Sequence, residues 1–316
     1  MTLLDYLDVT FGFCREKKAA AGEDSWCYSF NEHAGLLGVF DGCGGAGATA
    51  YDALKLHTGA FVASRAVADA AMRWFFDLCG GETAGIAALE QRIRQNLAIC
   101  TAQTGNQTSR IRSAMMRRMP TTAAMWVVTE NSGRLHGVSI SAGDSRTYLL
   151  DRRGLMQISA DDLRGEDAMS DIYNGAPMTN VISADGAFQL HCATRVLSEP
   201  CVLLAATDGC FNYLKSPMEF EYLLLHTLME ADCIDRWDQM LQQEIDAVAG
   251  DDQTMAVAVF GYQSFPALQA SLAPRHEAIK LLVQSLRDDI EARQRIWAQY
   301  KAGYYSLADG GVPTVE

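Results

Sequence analysis

The sequence predicts a protein of the α+β class, because its strand and helix signals come in blocks and not in strict alternation. Short segments rich in Val, Phe, Tyr and Trp open the chain, as in "DVTFGFC", "SWCYSF" and "GLLGVF". A long Ala-rich part follows, and strand signals return with "TTAAMWVVTE". A doubly wound sheet would instead place a helix after nearly every strand.

Length and composition are those of a globular protein with a large core. The chain has 316 residues, of which 49% are hydrophobic and 21% charged, and no apolar run is long enough to suggest a membrane span. The start of the chain lacks the basic-then-apolar order of a signal peptide. Nine cysteines without any C-x-x-C pair argue against a disulfide framework or a structural zinc site. We therefore expect a cytoplasmic protein.

The net charge of −13 disfavours binding to nucleic acid, whose phosphates require a cationic surface. Acidic charge can simply keep a protein in solution. Carboxylates clustered at strand ends are different, because such a cluster needs cations to neutralise it.

The elements follow in order along the chain. After the first three strands, two long helices joined at Gly80–Gly81 are predicted from Ala46 to about Gln103. Strand signals return over 121–160, with a hairpin turn at Asp151–Gly154. We call residues 161–186, which are polar and weakly periodic, the flap, and expect a surface loop there. Then come the strands "FQLHCATRV" and "CVLLAATDG", helix over 217–249, and a closing strand "TMAVAVFGY".

The chain changes character at its end, and we place a boundary between a domain over 1–262 and an extension over 263–316. Residues 274–303 are predicted to form one amphipathic helix with a stripe of apolar side chains at helical spacing. The stripe consists of Ile279, Leu282, Leu286, Ile290, Trp297 and Tyr300. It must be buried against something, which could be the domain itself, the same helix in a second chain, or another protein.

Gly42, Gly44 and Gly47 in "FDGCGGAG" fit the G-x-G-x-x-G spacing of dinucleotide-binding turns. Such a turn should be followed by a second strand and an acidic residue for the ribose. Here the candidate acid, Asp69, lies within predicted helix, and Asp41 would set its negative charge beside the pyrophosphate. The pattern therefore argues against a dinucleotide and leaves Asp41 to be explained.

Carboxylates stand at the margins of four predicted core strands: Glu23 and Asp24, Asp41, Asp208, and Asp251 with Asp252. A single Asp-Gly pair is often no more than a turn. A charged group beside an apolar strand is nevertheless costly to bury unless it is paired or bound to a metal ion. Oxygen ligands of this kind suit Mg²⁺ or Mn²⁺, and two such ions can act together in displacement at phosphorus.

Six segments in this order carry a resemblance to a known family: "GEDSW", "GVFDGCGGAG", "TTAAMWVV", "SAGDSRTYLL", "LLAATDGCFNYL" and "DDQTMAVAVF". Together they resemble the metal-dependent serine/threonine protein phosphatases of type 2C, over roughly residues 8 to 262. The resemblance implies a sandwich of two packed antiparallel sheets flanked by helices, with a metal site at one edge. It also implies hydrolysis of phosphoserine and phosphothreonine esters on proteins by a water molecule activated by two Mg²⁺ or Mn²⁺ ions.

The resemblance assigns roles to particular residues. The metal ligands it implies are Glu23, Asp41, Gly42, Asp208 and Asp251. Asp41 would bridge both ions, the Gly42 carbonyl would be a ligand beside it, and Asp24 would hold a metal-bound water. Asp252 would be an outer or surface group.

Within "AGDSR", Asp144 and Arg146 are expected to fix a turn and form a buried salt bridge.

The chain departs from the family pattern at three positions. Cys43 stands where a histidine that donates a proton to the leaving group is common, so Cys43 is a candidate catalytic residue. Ala19 stands where a phosphate-binding arginine is common, which leaves Lys18, with Arg15 and Lys17, as possible substitutes. Arg117 lies near the usual aspartate of a third metal, so we do not expect that site in its usual form.

The arginines at 110, 112, 117 and 118 could contact phosphate instead, or form a solvated basic loop.

Two functions from different classes therefore remain. One is a phosphatase acting on a phosphorylated protein substrate. The other is a pseudophosphatase, the same scaffold binding a phosphoprotein or signalling partner without turnover. Other catalytic interpretations find no support in the residues: no cysteine has the C-x₅-R spacing of a cysteine phosphatase, and no histidines have the spacing of a zinc site.

Overall fold

Two five-stranded antiparallel sheets form the centre of the molecule. The computed structural model describes residues 1–54, 56–81, 85–104, 117–165, 167–175, 177–197, 200–286 and 290–305. The first sheet has the order β1 (Leu7–Arg15), β10 (Gln253–Phe260), β9 (Cys201–Ala206), β6 (Arg146–Asp151) and β7 (Gly154–Gln157). The second has the order β2 (Ser25–Phe30), β3 (Ala34–Phe40), β4 (Ala123–Asn131), β5 (Arg134–Ala142) and β8 (His191–Leu197).

Helices cover the outer faces of both sheets. They are α1 (Leu3–Tyr6), α2 (Gly44–Gly47), α3 (Gly59–Cys79), α4 (Ile86–Gln103), α5 (Ala168–Asn174), α6 (Pro217–Glu230), α7 (Ile234–Val248), α8 (Phe265–Ser285) and α9 (Ile290–Tyr304). The apolar faces of α3 and α4 pack on the second sheet, and those of α6 to α9 pack on the first. The predicted α-β-β-α sandwich is confirmed.

The layer between the sheets is largely apolar, because central strands such as β9 and β10 are buried along their whole length and consist mostly of apolar residues. Trp126 of β4 is fully buried there and donates its indole N–H to the Leu204 carbonyl of β9, at 3.1 Å. This bond between the sheets satisfies a polar atom that would otherwise be costly to bury. It also helps to fix how the two sheets lie on each other.

The predicted helix pair is confirmed, with bounds shifted by the capping residues. The first helix begins at Gly59 and not near Ala46, because the Thr58 hydroxyl accepts the Phe61 amide as an N-cap. It ends at Cys79, next to the predicted Gly80–Gly81 break. The flap, predicted as loop, contains the short helix α5, which is capped by Asp167.

The prediction of one C-terminal helix over 274–303 is wrong. Helix α8 begins nine residues earlier, at Phe265, is capped by Ser264 and contains Pro274 in its interior. It ends at Ser285 because Leu286 has an extended backbone, and a separate helix α9 follows from Ile290. Residues 287–289 lie outside the described residues.

Most of the predicted apolar stripe is covered by the chain itself. Ile279 and Trp297 are buried in the same apolar cluster as β9 and β10, and Leu282, Leu286 and Tyr300 pack against that cluster. Ile290 is the exception, with 56% of its surface exposed. Packing against the domain therefore accounts for most of the stripe; assembly through these helices and the boundary at residue 262 stay predictions. None of the described helices is both long and apolar enough to span a bilayer.

Candidate metal centre

An acidic cleft of about 440 Å³ opens at one edge of the sandwich, where the strands of both sheets end. Its walls carry seven carboxylates: Glu23, Asp24, Asp41, Asp144, Asp208, Asp251 and Asp252. Gly42, Cys43, Gly44, Gly45, Ala46 and Met178 complete the lining. Among the described residues that line it there is no Lys or Arg.

Strand register explains why distant acids meet in the acidic cleft. Ser25 pairs with Phe40, so Asp24, just before β2, and Asp41, just after β3, lie at the same edge of the second sheet. In the first sheet Ala206 pairs with both Met255 and Arg146. The acids that follow β9, precede β10 and precede β6 therefore gather at the matching edge.

The backbone of Asp41 is held by the two threonines that open the "TTAAMWVV" segment. Its carbonyl accepts the Thr121 hydroxyl at 2.6 Å and the Thr122 amide at 2.9 Å. The Thr122 hydroxyl is in turn 2.6 Å from that of Ser145. These small polar groups fix the end of β3 and thus the point from which the Asp41 side chain starts.

The glycine-rich turn after Asp41 provides room for Glu23 and does not form a phosphate cradle. A Cβ on Gly44 would lie 1.8 Å from the Glu23 carboxylate, and one on Gly42 would lie 2.6 Å from the Glu23 carbonyl. A Cβ on Gly47 would lie 2.5 Å from the ring of Pro120. Close packing therefore requires all three glycines, and the chain continues into α3 and not into a second strand.

Glu23 is positioned from several sides. Its carboxylate accepts a hydrogen bond from the Thr58 hydroxyl, and its backbone amide donates to Asp252 at 2.7 Å. The other oxygen of Asp252 accepts the Lys17 amide at 2.8 Å. Asp252 thus joins the two ends of the 17–23 turn beside the acidic cleft, and its role as an outer group stays a prediction.

Burial and the charges of neighbouring acids raise the pKa values of five carboxyl groups in the acidic cleft, those of Glu23, Asp24, Asp41, Asp144 and Asp208. Burial, opposed by hydrogen bonds from Thr254 and Thr207, raises the pKa of Asp24 to about 7. Burial and the charge of Asp208 raise that of Asp144 to about 8. The pKa of Asp41 lies well above its ordinary value for the same reasons, burial first and then the charge of Asp24.

Asp144 lies in the cluster, whereas Arg146 does not neutralise it. Arg146, itself buried, makes a bidentate ion pair with Asp161, with an Nη2–Oδ2 distance of 2.7 Å. One oxygen of Asp144 is buried without a hydrogen-bond partner. The expected buried salt bridge of Arg146 therefore exists with Asp161, and Asp144 lies in the lining of the acidic cleft.

This donor set fits hard divalent cations. All the ligating groups are oxygens, one of them an orphaned buried carboxylate atom, and the surrounding carboxyls repel one another. Asp41 and Asp208 line the same cleft, and the charge of Asp208 is among the causes that raise the pKa of Asp41. Among the described residues, no group of three or more His, Cys, Asp or Glu side chains is arranged so that it could hold a metal ion as it stands.

Cys43 lies at the mouth of the cluster, with its Sγ 3.9 Å from the Asp41 carbonyl. Burial and the charge of Asp41 raise the pKa of its thiol well above the ordinary value. The group is therefore a protonated thiol and not a thiolate nucleophile.

The expected phosphate contacts lie outside the lining of the acidic cleft. Lys18 is exposed on the turn that follows β1. Arg117 is exposed at the rim, where its amide donates to the Ala46 carbonyl at 3.2 Å. Arg118 points elsewhere and binds the end of α4 through Thr101 and Thr104. Residues 110 and 112 lie outside the described residues.

Sequence reasoning missed Arg65 of α3. Its guanidinium stacks on the Phe61 ring and donates to the Glu23 carbonyl at 3.3 Å, so it places a cation behind the loop that carries Glu23. The i,i+4 spacing of Phe61 and Arg65 on a helix predicts that the guanidinium stacks on the ring, but it does not predict the contact with Glu23. Nothing local in the sequence indicates that α3 packs beneath Glu23.

No protein-family model and no curated protein matches the chain, whereas solved structures do. A mutant form of a bacterial serine phosphatase aligns with a TM-score of 0.56 and 21% identity over 80% of this chain and 97% of its own. The serine/threonine phosphatase Stp1 from Staphylococcus aureus gives 0.55 and 19% over 81% and 95%. The catalytic domain of the serine/threonine protein phosphatase PstP, in complex with two manganese ions, gives 0.50 and 19% over 81% and 98%. These likenesses confirm the expected fold.

Proposed function

We propose that this chain is a metal-dependent protein serine/threonine phosphatase that hydrolyses phosphoserine and phosphothreonine esters. The observation that carries the proposal is the acidic cleft, in which seven carboxylates converge without a basic residue among the described lining. Such an arrangement is unfavourable by itself and becomes favourable when divalent cations enter. The shared fold with bacterial serine/threonine phosphatases, one of them bound to two manganese ions, supports the same function.

The residues that would hold two Mg²⁺ or Mn²⁺ ions are Glu23, Asp41, the carbonyl of Gly42, Asp208 and Asp251. Asp144, with its orphaned oxygen, is available as a further ligand. When bound, the ions would place positive charge beside the phosphoryl oxygens and would lower the pKa of a water molecule, so that it can lose a proton and attack phosphorus. This charge would also bring the pKa values of the surrounding carboxyl groups down into the acid range.

The residues of the chain have separate tasks in this proposal. Asp24, fixed by the Thr207 hydroxyl at 2.9 Å, would accept a hydrogen bond from the attacking water and orient it. The thiol of Cys43, whose raised pKa keeps it protonated, would give its proton to the departing alkoxide oxygen. Arg117 at the rim, and Lys18 on the neighbouring turn, would contact the phosphoprotein and not the reacting phosphorus.

Manganese-dependent hydrolysis of p-nitrophenyl phosphate and of a phosphothreonine peptide, with and without EDTA, tests the proposal. We expect both reactions to need Mn²⁺ or Mg²⁺ and to stop with the chelator. Hydrolysis that persists in EDTA would contradict the metal-dependent mechanism. A folded, metal-loaded protein that binds the phosphopeptide but leaves it intact would instead establish the pseudophosphatase.

A further inference from the structure

The flap forms one side of the acidic cleft through Met178. Its two ends are joined beside the cleft, because Leu163 pairs with Met178 and the Thr179 amide donates to the Asp162 carbonyl at 2.7 Å. The Asp162 carboxylate accepts the Gly143 amide at 2.9 Å, directly before Asp144. The position of Met178 therefore depends on how the flap is held between these ends.

Asp167 joins the far part of the flap to the C-terminal helix α9. One of its carboxylate oxygens caps helix α5 by accepting the Ser170 amide at 3.0 Å. The other accepts two hydrogen bonds from α9, from the Trp297 indole at 2.9 Å and the Lys301 ammonium at 3.0 Å. Although burial disfavours its charge, these bonds lower the pKa of Asp167 below its ordinary value.

The rest of this contact is apolar and well buried. Ala168 and Met169 of α5 lie in the same buried cluster as Trp297 and Tyr304 of α9. The Tyr305 hydroxyl, just after α9, accepts the Ala168 amide at 2.7 Å. Helix α5 thus begins on α9, and its first turn depends on α9 for both packing and hydrogen bonds.

We propose that α9 positions the flap through Asp167 and so sets which phosphoprotein segments the acidic cleft accepts. The inference rests on the proposed function for its substrate and on these contacts for its mechanism. Trp297 and Lys301 are positioning residues in it, since they reach the cleft only through the flap. A side chain that carries no chemistry can still determine selectivity, because a small displacement of a bordering wall changes how a large substrate fits.

Substrate size separates this role from a purely structural one. The small p-nitrophenyl phosphate needs only the acidic cleft, whereas a phosphorylated protein also extends over the flap. If α9 merely stabilised the fold, its loss would lower the active fraction and affect both substrates alike. If α9 positions the flap, the KM for the large substrate changes while kcat for the small one does not.

Two variants and a matched control make the experiment. Lys301→Met removes one donor to Asp167 from a half-exposed site, and Lys301→Met with Trp297→Phe removes both donors while keeping an aromatic ring. Arg295→Met is the control, because it removes an exposed cation of the same helix whose ion partner, Glu291, also lies within α9. Hydrogen exchange of the α5 amides gives a readout independent of activity.

We expect the double variant to exchange the α5 amides about tenfold faster, since it loses two hydrogen bonds to a charged acceptor. Its KM for a phosphorylated protein should change about threefold or more, with an unchanged kcat for p-nitrophenyl phosphate and a smaller effect in Lys301→Met. Unchanged exchange, or equal effects on both substrates, would overturn the inference. Wild-type protein inactive on both substrates would refute the proposed phosphatase function, whereas the exchange result would still decide whether α9 holds the flap.

Discussion

The acidic cleft and the interface between α6 and the C-terminal helices both bury carboxylates, but they treat them in opposite ways. At the interface Glu221 is fully buried, and Arg275 and the Tyr300 hydroxyl donate to it. Nearby, Arg293 pairs with Glu219 at 2.8 Å. In the acidic cleft the described lining offers Asp41, Asp144 and Asp208 no cation at all.

The presence or absence of a partner within the chain distinguishes buried charges that stabilise the fold from buried charges that bind a ligand. In a buried ion pair that is also hydrogen-bonded, each charge is neutralised by a partner from the same chain. A cluster of unneutralised carboxylates is destabilising by itself, and its native partner must come from outside. Four predictions, in order of decreasing effect, test this contrast.

Asp41→Asn should abolish metal-dependent hydrolysis, with a loss of about 10³-fold or more, because a neutral amide cannot bridge two cations as a carboxylate does. Steady-state hydrolysis of p-nitrophenyl phosphate with Mn²⁺ measures the loss. Asp235→Asn, at an exposed position of α7, is the control and should keep full activity. Near-normal activity in a folded Asp41→Asn protein would reduce Asp41 to a turn former, a role in which Asn is a good replacement.

Glu221→Gln should lower the free energy of unfolding by about 3 kcal/mol, because it leaves the guanidinium of Arg275 without its buried counter-charge. Urea unfolding followed by tryptophan fluorescence measures the change. The matched substitution in the acidic cleft, Asp144→Asn, should instead raise the stability of EDTA-treated protein, because it removes a carboxyl group that on folding must either take up a proton or bear a charge repelled by its neighbours. A loss of stability in both variants would show that the carboxylates of the two regions contribute to the free energy of unfolding in the same direction.

The stability of the EDTA-treated protein should fall as pH rises from about 4 to about 8. The pKa values of Asp24 and Asp144 are raised from 3.8 to about 7 and about 8 in the folded chain. The folded state therefore binds protons more tightly than the unfolded state, and this stabilisation is lost as pH rises through the folded values. Urea midpoints across this range, with and without Mn²⁺, measure the effect. A fall of the same size with saturating Mn²⁺ would mean that the cleft carboxylates are not its cause.

Cys43→His should raise turnover by up to about tenfold, most visibly with a poor leaving group, because an imidazole donates a proton more readily near neutral pH than the thiol of Cys43. Cys43→Ala is the companion variant and should leave Mn²⁺ affinity unchanged. Comparison of p-nitrophenyl phosphate with a phosphothreonine peptide gives the dependence on the leaving group. An equal loss of metal affinity and activity in both variants would show that position 43 serves packing only.

Much of the candidate site could be predicted because its residues are adjacent to strands in sequence. Asp41, Asp208 and Asp251 each border an apolar run, and period and composition identify such runs reliably. The same local signals identified the helix pair before and after Gly80. They did not identify the break after Ser285, because the apolar stripe continues across it and only packing on the first sheet favours two helices.

The sequence by itself determined the fold class and the strand-end carboxylates, since each of these depends on residues close together in the chain. Only the tertiary structure decided which charges are paired. Arg146 meets Asp161 and leaves Asp144 to the acidic cleft, Arg65 lies behind Glu23, and Asp167 meets α9 across 130 residues of sequence. The physical reason is that an ion pair or hydrogen bond is set by a separation of a few ångströms in space. Local sequence patterns fix the direction of a side chain on its element, whereas the packing of distant elements decides what that side chain meets.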